Sequence, residues 1–139
     1  MAHVERFSIS MKGDLLKRFD ELIRRKGYPN RSEAVRDLVR HALVEQQWGR
    51  KDQKVAATVT LVYDHHTREL AERLADIQHR HGSLVVATTH VHLDNDNCLE
   101  VVILRGRSGR VRRLAELLIA QKGVKHGRAT FTTEGRDLW

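Results

Sequence analysis

The sequence predicts an α+β chain in two parts: a strand and two helices over residues 1–47, and a β-α-β-β-α-β unit over residues 55–139, with a linker at 48–54. Three observations carry this. Residues 5–11, ERFSISM, alternate apolar and polar with a period of two. GDLLKRFDELIRRKGY and NRSEAVRDLVRHAL then repeat apolar residues at helical spacing. From Val55 the texture changes, and four β-rich runs and two helical runs follow in the ferredoxin-like order, which sets both helices on one face of a sheet.

In the N-terminal strand Phe7, Ile9 and Met11 share one face, and Arg6, Ser8 and Ser10 share the other. The first helix places Leu15, Phe19, Leu22 and Ile23 on one stripe, and Gly27 stands where a C-terminal cap belongs. The second opens at Asn30, a good N-cap, with Glu33 three residues on as in a capping box. One strand and two helices in roughly 45 residues bury too little apolar surface to be stable alone. The strand also has two open edges. A dimer solves both problems, with two copies of the strand paired antiparallel and four helices sharing one core. Its polar ribbon face then carries Arg6, Ser8 and Ser10 from each chain, and a two-stranded ribbon fits the major groove of B-DNA. The second helix offers backbone N–H groups to a phosphate at Asn30, Arg31 and Ser32.

Residues 48–54, WGRKDQK, are polar and charged apart from Trp48 and read as the linker. In the second part VAATVTLVYDH is a strand. TRELAERLADIQHR is a helix with Leu70, Leu74 and Ile77 inward. SLVVATTHVHL and CLEVVILRG form a hairpin. SGRVRRLAELLIAQKG is a helix with Ser108 as its cap, VKHGRATFTT is the last strand, and EGRDLW is a loose tail.

Composition sets bounds. A charged fraction of 31% is ordinary for a soluble globular protein, and no apolar run approaches the roughly 20 residues a bilayer span needs. MAHVERFSIS lacks a basic segment followed by an apolar core, so no secretion signal is expected. A single cysteine fits a reducing cytoplasm, the expected location. The net charge of +7 makes a polyanion a plausible partner.

The chemistry concentrates in HRHGSLVVATTHVHLDNDNC, residues 79–98, which holds the only cysteine and four of the nine histidines. His90 and His92 are two apart on a strand, so they point to one face about 6.6 Å apart. Asp94, Asn95, Asp96 and Asn97 are turn formers, and the return strand brings Cys98 back beside the two imidazoles. His79 ends the helical pattern just upstream. Three imidazoles and a thiolate suit a borderline or soft transition ion rather than magnesium or calcium. In a plane they suit Ni(II) and Cu(II), whereas zinc prefers a tetrahedron.

Taken with the N-terminal segment, QHRH, TTHVHLDNDNC and LEVVILRG give the chain a resemblance, over roughly residues 4–133, to the nickel-responsive transcriptional repressors. The N-terminal part alone, on FSISM, Gly27-Tyr28 and NRSEAVRDLV, resembles the ribbon-helix-helix DNA-binding family. The spacing His79, His90, His92, Cys98, with gaps of 11, 2 and 6, is the repressor family's ligand spacing. The resemblance implies an ACT-type regulatory domain and a homotetramer, a dimer of dimers, acting on double-stranded operator DNA. It implies one Ni(2+) per subunit, bridging His90, His92 and Cys98 of one subunit and His79 of a neighbour. It implies base reading by Arg6, Ser8 and Ser10, a second cation site at Glu33 and Asp37, and DNA backbone contacts from Arg68 and Lys122. Tyr63 and Glu100 match positions beside the metal. His65, His66, His81 and His126 stand between surface positions and secondary metal sites, and His66 and His126 read as surface.

Two other functions compete. A metal-dependent hydrolase using His90 and His92 needs an open coordination position, which a fourth ligand at His79 closes; no enzyme is therefore expected. A metal-independent or other-metal ribbon-helix-helix regulator needs only residues 4–46 and the second fold.

Overall fold

A computed structural model describes residues 3–48, 53–136 and 138. The elements are α1 (Gly13–Lys26), α2 (Arg31–Trp48), β1 (Lys54–Asp64), α3 (Leu70–Arg80), β2 (Val85–His92), β3 (Asn97–Arg107), α4 (Ser108–Ile119) and β4 (Val124–Thr133). The chain divides into two compact units, Met1–His41 and Ala42–Trp139. Helix α2 continues to Trp48, so the first residue of the expected linker is helical. Residues 49–52 of that linker, and Asp137 and Trp139 of the expected tail, lie outside the described residues.

In the first unit α1 carries Asp14 in its first turn and Arg24, Arg25 and Lys26 in its last, charges that complement the helix dipole. It ends in a Schellman motif. Gly27 takes φ 80°, its N–H bonds Arg24 O at 3.1 Å, and the Tyr28 N–H bonds Ile23 O at 3.0 Å. Only glycine adopts that φ without strain. Asn30 caps α2, with Oδ1 accepting the Glu33 N–H at 2.9 Å. The reciprocal half of the capping box is missing, because the Glu33 carboxylate pairs with Arg36 instead.

Residues 3–12 form no strand pairing among the described residues, which departs from the strand expected at 5–11. The physical reason is that a strand is completed by a neighbour's N–H and C=O groups. Here the apolar face stays in solvent, with Phe7 77% and Ile9 71% exposed. Ala34 is the only buried hydrophobic residue among described residues 3–41. One copy of this unit therefore has almost no core.

The second unit is a four-stranded antiparallel sheet in the order β2-β3-β1-β4. This is the expected ferredoxin-like arrangement. Burial alternates strictly along β1, with Val55, Ala57, Val59, Leu61 and Tyr63 inward. On β3 the inward positions are Cys98, Glu100, Val102 and Leu104. Leu70, Leu74 and Ile77 of α3 and Val111, Leu114, Ala115 and Leu118 of α4 close over that face. Trp48 joins the same core at 8% exposure, its ring 4.4 Å from that of Phe131 and its indole N–H donating to Thr132 O at 2.8 Å. One expected cap is corrected. Ser108 is the first helical residue of α4, itself buried, and the N-cap position belongs to Arg107. Among the described residues no helix is long and apolar enough to cross a membrane.

Candidate metal centre

Register builds the site. His92 pairs with Cys98, and Cys98 pairs with Tyr63; His90 pairs with Glu100, and Glu100 with Leu61. Directly paired residues of an antiparallel sheet point to one face. His90, His92, Cys98, Glu100 and Tyr63 therefore all lie on the helix-covered face. β2 is the edge strand there, so His90 and His92 are exposed while Cys98 and Tyr63 are buried. The two imidazole centroids are 5.5 Å apart.

The hairpin that sets this register is closed by Asp94. Its Oδ1 accepts the N–H groups of Asp96 at 2.8 Å and Asn97 at 2.7 Å. These bonds, with the Asn97 side chain, hold the Asp94 carboxyl down at a pKa of about 2.

Glu100 is a buried carboxylate with three neighbours. Tyr63 Oη donates to Oε1 at 2.8 Å, Gln78 Nε2 donates to Oε2 at 2.7 Å, and His90 Nδ1 stands 3.4 Å from Oε1. Gln78 Oε1 in turn accepts from Thr88 Oγ1 at 2.6 Å. The network ties α3, β1, β2 and β3 together. Burial, with Glu100 next, pushes the Tyr63 hydroxyl well above its ordinary pKa, so it remains a donor. Burial also raises the Cys98 thiol, whose Sγ–H donates to Tyr63 O at 3.3 Å.

The donor set fits a transition ion in chemistry: two imidazoles and a thiol in register on adjacent strands, the thiol being the group such an ion deprotonates. His79 lies at the end of α3, one residue beyond Gln78. Within one chain no three of His79, His90, His92 and Cys98 have ligand atoms that all lie within 4.8 Å of one another. The group that meets this distance, among the described residues, is Asp64, His66 and Asp96. His81 is used locally, its Nδ1 2.8 Å from Ile77 O. His126 lies exposed on β4.

In the first unit an open groove is lined by Arg6, Phe7, Ile9, Arg31, Ser32 and Arg36, which brings Arg6 beside the start of α2. Arg31 is not simply presented there. It makes a two-pronged pair with Asp20 of α1, Nε to Oδ1 and Nη2 to Oδ2 both at 2.8 Å. Asp37 accepts from Tyr28 Oη and lies 3.5 Å from His41 Nε2, while Glu33 pairs with Arg36. The two candidate cation ligands of α2 thus have separate partners. Arg68 and Lys122 are both exposed, and the turn at Gly123 packs on Thr67 and Leu70, which sets them at one end of the second unit.

Gln78 and Thr88 escaped the sequence reading, though Gln78 opens the QHRH motif. The Asp64, His66 and Asp96 group escaped it too. Its members come from the end of one strand and the turn of another, and no spacing joins them.

Comparison with known proteins agrees with this architecture. Residues 56–132 match the family described as NikR C terminal nickel binding domain, and residues 5–46 match the ribbon-helix-helix proteins of the copG family. A protein of Desulfovibrio desulfuricans described as a nickel-responsive regulator is 57% identical over 138 residues, 99% of each chain. Similarly described proteins of Solibacter usitatus and Geobacter sulfurreducens are 53% and 51% identical over the same share. The family is one of ribbon-helix-helix transcription regulators rather than enzymes. The chain belongs to this nickel-responsive regulator family, with a ribbon-helix-helix domain followed by a NikR-type C-terminal domain.

Proposed function

We propose that this chain is a cytoplasmic, nickel-responsive repressor of nickel-uptake genes, acting as a homotetramer, a dimer of dimers, on double-stranded operator DNA. In it, His90, His92 and Cys98 of one subunit and His79 of a neighbour hold one nickel ion per subunit. The observation that carries the reading is the row His92–Cys98–Tyr63 beside His90–Glu100, which aligns the candidate donors on one face. When bound, nickel supplies a Lewis-acidic crosslink between these donors. The chain's own residues do the rest. Cys98 gives up its proton, Glu100 orients His90 through Nδ1, and Gln78 couples Glu100 to the end of α3 that carries His79.

Two exposed apolar surfaces support assembly. Phe7 and Ile9 need a partner ribbon, and the sheet face opposite the helices carries Val91 at 46% and Ile103 at 38% exposure. The resulting DNA reader uses Arg6, Ser8 and Ser10 for bases and Asn30, Arg31 and Ser32 for phosphate. Arg31 must then exchange or share Asp20. Glu33 and Asp37 remain proposed as a second cation site, and Arg68 and Lys122 as backbone contacts. The domain limits proposed are 1–47 and 55–139, joined by 48–54.

The test is operator binding with nickel, zinc, copper and chelator side by side at one salt concentration. Nickel should raise specific affinity most. Equal affinity with nickel and with chelator would favour a metal-independent regulator.

A further inference from the structure

We propose that Asp20 of α1 is a positioning residue for DNA-backbone recognition: it grips one edge of the Arg31 guanidinium and leaves the other edge available to a phosphate at the start of α2. The proposal rests on the reading above that Arg31 meets a phosphate. Arg31 then shares its two partners rather than exchanging one for the other.

A guanidinium carries its N–H donors in a rigid planar fork. Asp20 takes the side edge: Nε donates to Oδ1 and Nη2 to Oδ2, both at 2.8 Å. The end edge, formed by Nη1 and the second N–H of Nη2, is not used by that pair. A phosphate accepts two parallel bonds from such an edge, as a carboxylate does. Arg31 is also the first residue of α2, where the leading N–H groups have no intrahelical partner. Asn30 Oδ1 takes the Glu33 N–H at 2.9 Å, so the groups of Arg31 and Ser32 are the ones the helix start offers. Arg31 and Ser32 line the same open groove as Arg6, the proposed base reader.

Stability does not account for the pair. The Arg31 and Asp20 side chains are 58% and 41% exposed, and exposed ion pairs add little to stability. What the pair fixes is orientation. The Arg31 hydrogen bond, above all, holds the Asp20 carboxyl below its ordinary pKa, so it is ionised at neutral pH. A long side chain thereby loses its rotamer freedom before DNA arrives, and less is lost on binding. The anchor is itself held in place. α1 is tied to α2 by the turn at Gly27 and by Tyr28 Oη, which donates to Asp37. Simple electrostatics points the other way, because a carboxylate beside a phosphate site repels DNA. The two effects therefore predict opposite signs.

The test uses the full chain with nickel and a dye-labelled random-sequence DNA duplex, since a phosphate contact carries no sequence information. Asp20→Asn removes a negative charge, and electrostatics alone predicts tighter binding. Positioning predicts binding about fivefold weaker, the scale of one ordinary hydrogen bond. Arg31→Ala should weaken binding at least as much, and in that background Asp20→Asn should cause no further loss. Arg31→Lys keeps the charge but cannot fill two edges. It should behave like Arg31→Ala, and it keeps the test open if Asp20→Asn fails to fold; circular dichroism checks each variant. Binding by Asp20→Asn, or by Arg31→Lys, as tight as that of wild type while Arg31→Ala weakens would overturn the proposal and leave the phosphate contact standing. So would an equal loss from Asp20→Asn with and without Arg31, which would make Asp20 structural only. No loss in Arg31→Ala would overturn the phosphate reading itself, and the proposal with it.

Discussion

Gln78 donates from Nε2 to Glu100 Oε2 at 2.7 Å, one residue before His79 on α3. The bond matters because Glu100 is a carboxylate at 6% exposure, and a buried charge needs its donors. Gln78→Ala should cost about 1–3 kcal/mol of stability, the penalty for an unmet buried acceptor. Urea unfolding of the metal-free protein measures it. The same variant should lose nickel-dependent DNA affinity more than nickel affinity, since His90, His92 and Cys98 stay in register.

The pH dependence has a definite sign. Burial raises the Cys98 thiol, so the proton stays until an ion displaces it. Below the thiol's pKa nickel affinity should fall as pH falls, by about tenfold per pH unit for each proton released. The turn should outlast the binding. The Asp94 carboxyl is depressed to about 2, so its contribution is complete above the ordinary carboxylate range and is lost only as pH falls through about 2. Nickel titrations at pH 8, 7 and 6, with turn amide shifts followed in parallel, check both. Cys98→Ser should also remove the sulfur-to-nickel charge-transfer band; an unchanged spectrum sinks the ligand assignment.

Trp48 is expected to matter for stability. It is buried against Phe131, and the guanidinium of Arg112 lies over both rings, 5.5 Å from that of Trp48 and 4.9 Å from that of Phe131. Trp48→Ala should cost about 3–5 kcal/mol. Trp48→Phe keeps an aromatic face and loses the bond to Thr132 O, a cost of about 1 kcal/mol. Thermal unfolding of the two variants separates packing from hydrogen bonding.

What was legible in the sequence follows from the range of the forces involved. Period-two and helical patterns are local, so α3 with Leu70, Leu74 and Ile77 inward, and the hairpin pairing His92 with Cys98, were readable. The Gly27 cap was readable because one backbone φ demands glycine there. The Glu100–Gln78–Thr88 chain was not, because three elements must first be packed. His66 read as a surface residue because nothing in its neighbourhood of sequence announces Asp96, which only the folded sheet brings near. Ser108 misled because a serine one place inside a helix looks, in sequence, like one at its cap.

Base reading makes a prediction at Arg6. It lies in the groove with Arg31 and Ser32 at the start of α2. Arg6→Ala should weaken specific operator binding by about 1–3 kcal/mol for each base that the guanidinium grips with two hydrogen bonds, and non-specific binding much less. Gel shifts with operator and scrambled DNA at equal salt distinguish the cases. Equal weakening would make Arg6 a phosphate contact only.

The last prediction concerns His79, which lies at the end of α3 while His90, His92 and Cys98 lie on the β2–β3 hairpin. If it is supplied by a neighbouring subunit, metal binds the assembled core better than separate subunits and stabilises that core by linkage. The same bond can favour the DNA-competent arrangement, but only by the ion's differential affinity for the competent and incompetent states. A tenfold gain in operator affinity needs about 1.4 kcal/mol, which ordering the end of α3 can supply through Gln78 and Glu100. His79→Ala leaves three donors on the hairpin, so some nickel still binds. It should lose most of the nickel-dependent gain in operator affinity and the nickel-dependent rise in core stability. Operator titrations of wild type and His79→Ala, each with nickel and with chelator at one salt concentration, decide the matter. If both proteins gain equally from nickel, the bridge is not the switch, and the ion acts within one subunit.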